Sequence, residues 1–321
     1  MELISIYLAM SEIDFMFSGM WNHSGLSILT AKLNRRLTEL KYRFLARFGQ
    51  VRGVTIAKRD PEIIVSLTTM ASRIQHVGIT IESIMRQSEK PDRIVLWLSP
   101  GVFGDHGEKH RDDIVNNLKR LEIRGLEIRW CPDIRSYRKL IPTLKAFPDS
   151  VIVTADDDLM YPPDWLARLV DANKEEPEFI HCHLAHRISF SSQFDVSPYA
   201  EWEKFSTTLE GPSLDLFPTT GGGIIISRHH LHADLMNEAL FLKLCPTADD
   251  VWVKTMSLLA GTKCKKVSGK PAKFNAIKIA NNKSLFTINV KRGGNDVQIA
   301  QVDKYYGCFS ALARASCSPQ S

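Results

Sequence analysis

From about residue 62 the chain alternates short runs of β-branched and apolar residues with longer segments whose apolar positions recur at helical spacing. That alternation predicts βαβ units and a mostly parallel sheet. Ile63 to Thr69 (IIVSLTT) reads as a first buried strand, and Ile79, Ile81, Ile84 and Met85 as one face of a helix ending near Gln87, ahead of Pro91. Arg93 to Ser99 (RIVLWLS) and Leu126 to Cys131 (LEIRWC) follow as the second and third strands, with a helix over Asp112 to Ile123 between them. A helical stripe of Tyr137, Leu140, Ile141 and Leu144 leads to a fourth strand, Ser150 to Ala155 (SVIVTA), which runs straight into Asp156, Asp157 and Asp158. A helix opening near Pro163 buries Trp165, Leu166, Leu169 and Val170 and precedes a strand from Phe179 to Leu184. Beyond residue 190 the pattern loosens. Thr219 to Ser227 (TTGGGIIIS) reads as a Gly-rich turn into a strand, Leu231 to Leu244 as a helix, and a further helix after Pro246 carries Asp249 and Asp250 in its first turn.

The expected fold class is therefore α/β, a mostly parallel central sheet flanked by helices, with a helical N-terminal extension. Residues 1–58 form the extension, 59–300 the α/β domain, and 301–321 a C-terminal helix and tail. The 321 residues suffice for one large domain, and 44% hydrophobic with 24% charged residues excludes disordered, collagen-like and coiled-coil chains. Net charge is +5, of which +4 lies in residues 1–58. The remainder is close to neutral, so no nucleic-acid partner is expected. Leu33, Leu37, Leu40, Phe44 and Phe48 recur at helical spacing among Arg35, Arg36, Lys41, Arg43 and Arg47. A helix over residues 29–48 with that pattern suits peripheral contact with a membrane surface, and equally suits packing on the domain or on another subunit. Neither an apolar run long enough to cross a bilayer nor a signal-peptide pattern is present. Six cysteines lie far apart without a CxxC pair and read as free thiols, so a cytoplasmic location is expected.

Chemistry concentrates at the end of the fourth strand. Three adjacent carboxylates repel one another and call for a compensating cation, and in open α/β sheets ligands bind outside the carboxyl ends of the strands. Mn²⁺ or Mg²⁺, which take carboxylate and then phosphate oxygens, suit Asp156 and Asp158. A solvated acidic turn ahead of the next helix is the plainer alternative. Asp249 and Asp250 have a similar alternative, because carboxylates in a first turn meet the helix dipole favourably. Gly221, Gly222 and Gly223 lack the GK[ST] of a P-loop and read either as a close backbone approach to a sugar or as a tight turn. His181, His183 and His186 invite a zinc reading, yet no second ligand pair matches them, so structural histidines are expected. Trp202 is expected in the core.

The stretch YRKLIPTLKAFPDSVIVTADDDLMYPPDWL, residues 137–166, resembles the core of nucleotide-sugar-dependent glycosyltransferases of the GT-A fold, with TADDD as their DxD motif. The opening IIVSLTTMASRI, the HRI at His186 to Ile188, TTGGG, ADDVW and the terminal NDVQ are similar too, so the resemblance covers roughly residues 62–300. It implies a metal at Asp156 and Asp158 bridging the donor's diphosphate, with Asp157 sharing in donor contacts. It further implies nucleotide or donor contacts from Thr68, Arg73, Lys139, His186 and Arg187, and acceptor contacts from Gly221, Gly222, Gly223 and Trp252. ADDVW resembles the acidic pair with which inverting members deprotonate the acceptor hydroxyl, which makes Asp250 the base and Asp249 its neighbour. The Asp-Asp form departs from their common Glu-Asp form and also occurs in retaining relatives. The expected activity is metal-dependent transfer of a sugar from a nucleotide-sugar donor to a hydroxyl of a glycan or lipid-linked acceptor. The rivals are a catalytically inactive glycan-binding protein of the same fold and another Asp/metal phosphoryl enzyme.

Overall fold

The computed structural model describes residues 24–57, 59–102, 118–191, 195–209, 211–269, 271–279 and 285–317. The expected helix over Asp112 to Ile123 lies largely outside the described residues, of which 118–122 are helical. The chain divides between Lys41 and Tyr42 into two units. What is described of the first is the opening of α1 (Ser24–Phe48). The second starts at Tyr42, so residues 42–57, expected in the extension, belong with the α/β unit.

In that unit β1 (Ile63–Thr68), β2 (Arg93–Leu98), β3 (Leu126–Trp130) and β4 (Val151–Ala155) are parallel, with α2 (Ile74–Met85) joining β1 to β2 and α3 (Ile141–Ala146) preceding β4. After β4 come the short β5 (Leu159–Met160), α4 (Trp165–Glu175), β6 (Ile180–Cys182), β7 (Ala185–Arg187), β8 (Leu216–Pro218) and β9 (Ile224–Ile226). Then follow α5 (Glu238–Leu244), α6 (Asp249–Leu259), β10 (Cys264–Lys266), β11 (Asn275–Ala276), α7 (Gly294–Tyr306) and α8 (Cys308–Cys317). Seven strands form one sheet in the order β10-β6-β9-β4-β1-β2-β3, in which β9 runs antiparallel to both its neighbours. Helices flank this mostly parallel sheet, as the alternating pattern predicts.

Successive strand residues face opposite ways, which explains the unbroken apolar runs. Ile64, Ile152 and Ile226 pack with Trp252, Phe241 and Phe309 on one face; Val65, Val153 and Ile225 pack with Ile81, Ile84, Trp165 and Leu169 on the other. From β1 the chain steps outward through β2 and β3, then returns to set β4 against the other side of β1, with Leu67 beside Ala155. The carboxyl ends of β1 and β4 therefore meet where the connections diverge, the usual ligand crevice of such sheets.

Several predicted elements change form. The stripe from Tyr137 to Leu144 is a 3-10 turn (Arg135–Lys139) followed by α3, because Pro142 lacks an N–H and starts a new helix in its first turn. The helix expected over Leu231 to Leu244 is a 3-10 turn (Ala233–Met236) and then α5. His232 and Asn237 accept from Asp234 N–H and Leu240 N–H, and two caps in six residues interrupt the run. At the C-terminus there are two helices, α7 crosses the boundary expected at residue 300, and Val302, Phe309 and Leu312 are core residues. Among the described residues no helix is long and apolar enough to cross a membrane.

Candidate active site

β4 delivers Asp156, Asp157 and Asp158 to the carboxyl edge of the sheet, where their carboxylates diverge. Asp157 is only 5% exposed and turns inward: Thr69 Oγ1 donates to its Oδ2 at 2.5 Å, and Arg73 Nη1 lies 2.5 Å from its Oδ1. Arg73 also reaches Asp158 Oδ2 at 3.1 Å, and Lys139 Nζ lies 2.7 Å from Asp156 Oδ1. Two side-chain cations thus already face the three carboxylates. Burial, reinforced by Asp156 and offset by Arg73, pushes the Asp158 carboxyl up to about 6. Burial also raises Asp157, in spite of Arg73.

The Gly-rich turn closes over this edge. Tyr161 Oη accepts from Asp156 N–H and donates to Gly221 C=O, both at 2.8 Å, and so ties the two backbones together. A Cβ on Gly221 would fall 2.2 Å from Asp156 Oδ2, so only glycine permits this approach.

On the other side of the turn, α6 starts with Asp249 and Asp250, and neither carboxylate is spent on capping. The N–H groups of Thr247 and Ala248 both donate to Gln298 Oε1 of α7, at 2.8 and 3.1 Å, which holds the turn into the helix from outside. The carboxylates point at Thr220. Its N–H donates to Asp250 Oδ1 at 2.9 Å, and its hydroxyl lies 2.5 Å from that oxygen and 3.0 Å from Asp249 Oδ2. Lys139 Nζ is 3.2 Å from Asp249 Oδ2. Burial would depress the Lys139 ammonium, but Asp156, Asp249 and Asp250 hold it well above its usual range. At Asp249 burial is the largest influence, but the Lys139 ammonium and hydrogen bonds from Ser136, Lys139 and Thr220 together overcome it and lower that carboxyl, whereas burial and the Asp249 charge push Asp250 up to about 7. One buried lysine thus joins both acidic groups and sets a proton-accepting carboxyl near neutral pH.

Both groups line a single cavity of about 650 Å³ within the α/β unit. Thr68, Arg73, Lys139, all three Asp of the cluster, His186, Gly221, Gly222, Asp249 and Asp250 border it. The Thr68 hydroxyl is committed to Trp97 C=O at 2.8 Å. His186 is buried, which depresses it to about 4, so the ring is neutral and its Nδ1 accepts from Phe205 N–H at 2.9 Å. Phe205 is held there with φ 49°, a left-handed backbone rare outside glycine, with its ring 54% exposed on the cavity wall.

Three expected site residues lie elsewhere. Trp252 is fully buried beneath α6, its Nε1 donating to Leu235 C=O, and packs near Phe241 and Tyr306. Two residues on from Asp250, about 200° around the helix, Trp252 points to the core while the Asp250 carboxylate faces the cavity. Arg187 ends β7 exposed to solvent and is not part of the cavity wall. Gly223 packs on the Trp165 indole, which a Cβ would approach to 2.4 Å, so this glycine serves the core. His181 and His183 contact the backbone oxygens of Glu176 and Trp165 through Nε2, and Trp202 is a core residue.

Sequence reasoning passed over Thr220, Tyr161, Thr69 and Arg138. Thr220 is inside the TTGGG motif, where the glycines drew the attention. Arg138 is 4% exposed on the cavity wall, paired with Asp133 at 3.0 Å, with a buried Nε that has no partner. Asp156 and Asp158, with side chains 40% and 29% exposed, present carboxylate oxygens of the kind hard divalent cations take. Among the described residues no group of three or more His, Cys, Asp and Glu is arranged to hold an ion, so Mn²⁺ or Mg²⁺ there would draw further oxygens from a bound ligand or water.

Neither a family model nor a curated protein sequence matches the chain. Among solved structures it is similar to the crystal structure of GalNAc-T7 with UDP, GalNAc and Mn²⁺, at 15% identity and a TM-score of 0.44 over 80% of this chain and 52% of that one. It is also similar to the mannosyltransferase PcManGT from Pyrobaculum calidifontis in complex with GDP-Man and Mn²⁺, at 12% identity and a TM-score of 0.40 over 91% of this chain and 87% of that one. The chain thus spans about half the length of the GalNAc-T7 chain.

Proposed function

We propose that the chain is a metal-dependent, nucleotide-sugar-dependent glycosyltransferase of the GT-A type that transfers to a hydroxyl of a glycan or lipid-linked acceptor with inversion. The observation that carries this reading is the shared cavity: the cluster after β4 and the Asp249–Asp250 pair face one space, and Lys139 is salt-bridged to both. A donor diphosphate fits at the Arg73 and Lys139 end, with Asp156 and Asp158 to hold a divalent ion, which when bound would supply positive charge against the departing phosphate.

Across Lys139 from that cluster, Asp250 has the properties of a general base. It is ionisable near neutral pH, and the Thr220 N–H and hydroxyl fix its Oδ1. The acceptor oxygen forms a bond to the anomeric carbon while the bond from that carbon to the diphosphate breaks. The acceptor proton passes to the Asp250 carboxylate, and the nucleoside diphosphate leaves with the bonding pair. A single displacement of this kind inverts the anomeric centre. Asp249 stays ionised beside Lys139 and keeps the Asp250 carboxyl proton-hungry. Gly221 and Gly222 line the same cavity.

The test is release of nucleoside diphosphate from a panel of nucleotide sugars, with and without Mn²⁺, for the wild type and Asp158→Ala. Metal-dependent release that the substitution abolishes is the expected result. Binding of a glycan with no release from any donor would overturn the reading in favour of a non-catalytic protein.

A further inference from the structure

The near neutrality of residues 59–321 conceals a sharp asymmetry. Residues 251–295 contain ten Lys or Arg and no Asp or Glu, so the rest of that range is correspondingly acidic. Part of this basic stretch is used internally: Lys254 is buried on Leu214 C=O, Lys265 pairs with Glu176, and Lys266 donates to Ser206 C=O. Lys273, Lys278, Lys291 and Arg292 are exposed and enter no salt bridge among the described residues.

The segments that carry these four adjoin the cavity lining, which includes Leu159, Asn289 and Val290. Lys273 and Lys278 bracket β11, which pairs with β5 directly after the Asp156–Asp158 cluster, and Ile277 N–H donates to Asp158 C=O at 2.7 Å. Lys291 and Arg292 end the helical turn Thr287–Lys291, which Asn289 fastens to Thr247 beside the Asp249–Asp250 pair. The same turn region exposes three apolar side chains within four residues: Leu285 (36%), Phe286 (57%) and Ile288 (42%). Leu285 and Phe286 are themselves part of the cavity wall.

We propose that this face docks on an anionic membrane surface, with Leu285, Phe286 and Ile288 in the interfacial layer and the four cations against the headgroups, so that the cavity opens toward the bilayer. Clustered apolar side chains with exposed cations on the same and the neighbouring segment match a bilayer boundary, where hydrocarbon and negative charge are adjacent. A soluble polyanion would leave the apolar side chains in water, and a second copy of the chain would bring like charges together. The docking stands independently of the enzymatic reading. Its consequence, that the acceptor is lipid-linked and reaches Asp250 from the membrane, rests on that reading.

The test is flotation of the full chain with vesicles of phosphatidylcholine alone and with about a third of anionic lipid, at two salt concentrations. The expected result is binding to anionic vesicles only, weakened by salt. Lys291→Gln/Arg292→Gln should lower the partition coefficient about 30-fold, at roughly a factor of five per basic residue, with an unchanged circular dichroism spectrum. Phe286→Ser/Ile288→Ser should lower it as well. Equal binding to neutral vesicles, or no effect of the Lys291/Arg292 pair, would overturn the proposal. So would loss of all binding in Phe44→Ser/Phe48→Ser with the mouth intact, which would assign the contact to α1. Undiminished binding of a soluble anionic polysaccharide by Phe286→Ser/Ile288→Ser, with no vesicle binding by the wild type, would make the face a polyanion site. Failure of the enzymatic reading appears separately, as absence of transfer to any acceptor while flotation persists.

Discussion

Asp250→Asn separates a catalytic carboxylate from a structural one, because the two roles predict opposite changes in stability. Burial and the Asp249 charge raise this carboxyl from its ordinary 3.8 to about 7, so the folded state holds the proton more tightly than the unfolded chain. That proton-linked stability is complete below about pH 4 and is lost as pH rises through 7. At pH 8 an ionised Asp250 therefore costs the fold about 2–4 kcal/mol, at about 1.4 kcal/mol per pH unit of displacement. Asn carries no charge at any pH, and its amide oxygen still accepts from Thr220 N–H. For a unit of this size, about 2–4 °C per kcal/mol, the melting temperature of Asp250→Asn should exceed the wild type by about 5–10 °C at pH 8. The difference should shrink steadily toward pH 5.

Activity should move the other way. As base, Asp250 is active when ionised, so kcat/KM should climb about tenfold between pH 6 and pH 8 along a limb centred near 7. The variant should bind donor normally yet lose about 10²–10⁴ in transfer. Differential scanning calorimetry across pH, with a coupled assay for nucleoside diphosphate and for transferred sugar, reads both effects. A variant less stable than the wild type at pH 8, or a rate limb below pH 5, would refute the argument from burial. Near-normal transfer by the variant would remove Asp250 from the chemistry.

Three further outcomes follow from the same geometry. Gly221→Ala sets a Cβ 2.2 Å from Asp156 Oδ2, so that carboxylate must swing off Lys139; a Mn²⁺ titration should show affinity weakened about 10–100-fold, with a melting temperature close to the wild type. Lys139→Met removes the cation from among Asp156, Asp249 and Asp250, so the pH-rate limb should shift above 7 and urea unfolding should register a loss of about 3–5 kcal/mol. Arg124→Leu strands Glu82, which is fully buried and gripped by Arg124 Nη1 at 2.8 Å and Nη2 at 3.1 Å, while freeing the backbone oxygens of Leu45 and Val51; Arg86 remains on Glu82, so denaturation should show a loss of about 2–4 kcal/mol without a change in donor affinity.

The sheet was legible because strands buried on both faces leave unbroken apolar runs, and the observed β1, β2, β3 and β4 each fall inside the predicted segments. The helices that misled were those where capping or proline acts within an apolar stripe, at Pro142, His232 and Asn237, since periodicity records which face is buried and not whether the backbone bonds continue. The two acidic clusters were visible for a related reason: adjacent carboxylates are costly, so their presence marks a place where the fold supplies compensation. What supplies it was not visible. Lys139 and Thr220 reach Asp249 across more than a hundred and nearly thirty residues of chain, and no local pattern encodes such a pairing. Arg73 and Lys139, expected as donor contacts, already meet the cluster itself, so an ion brought there by a ligand would have to compete with those contacts.

The same limit governs charge. A net +1 over residues 59–321 argued for a neutral unit, but a sum discards order: residues 251–295 hold ten cations and no acid, and after Lys254, Lys265 and Lys266 are taken up internally, Lys273, Lys278, Lys291 and Arg292 stay exposed beside β11 and the 287–291 turn. The cavity lining itself holds both acidic clusters but sets Arg73, Arg138 and Lys139 among them, so the interior is internally compensated while the exposed cations beside it are not, and it is those that the proposed docking would set against an anionic surface.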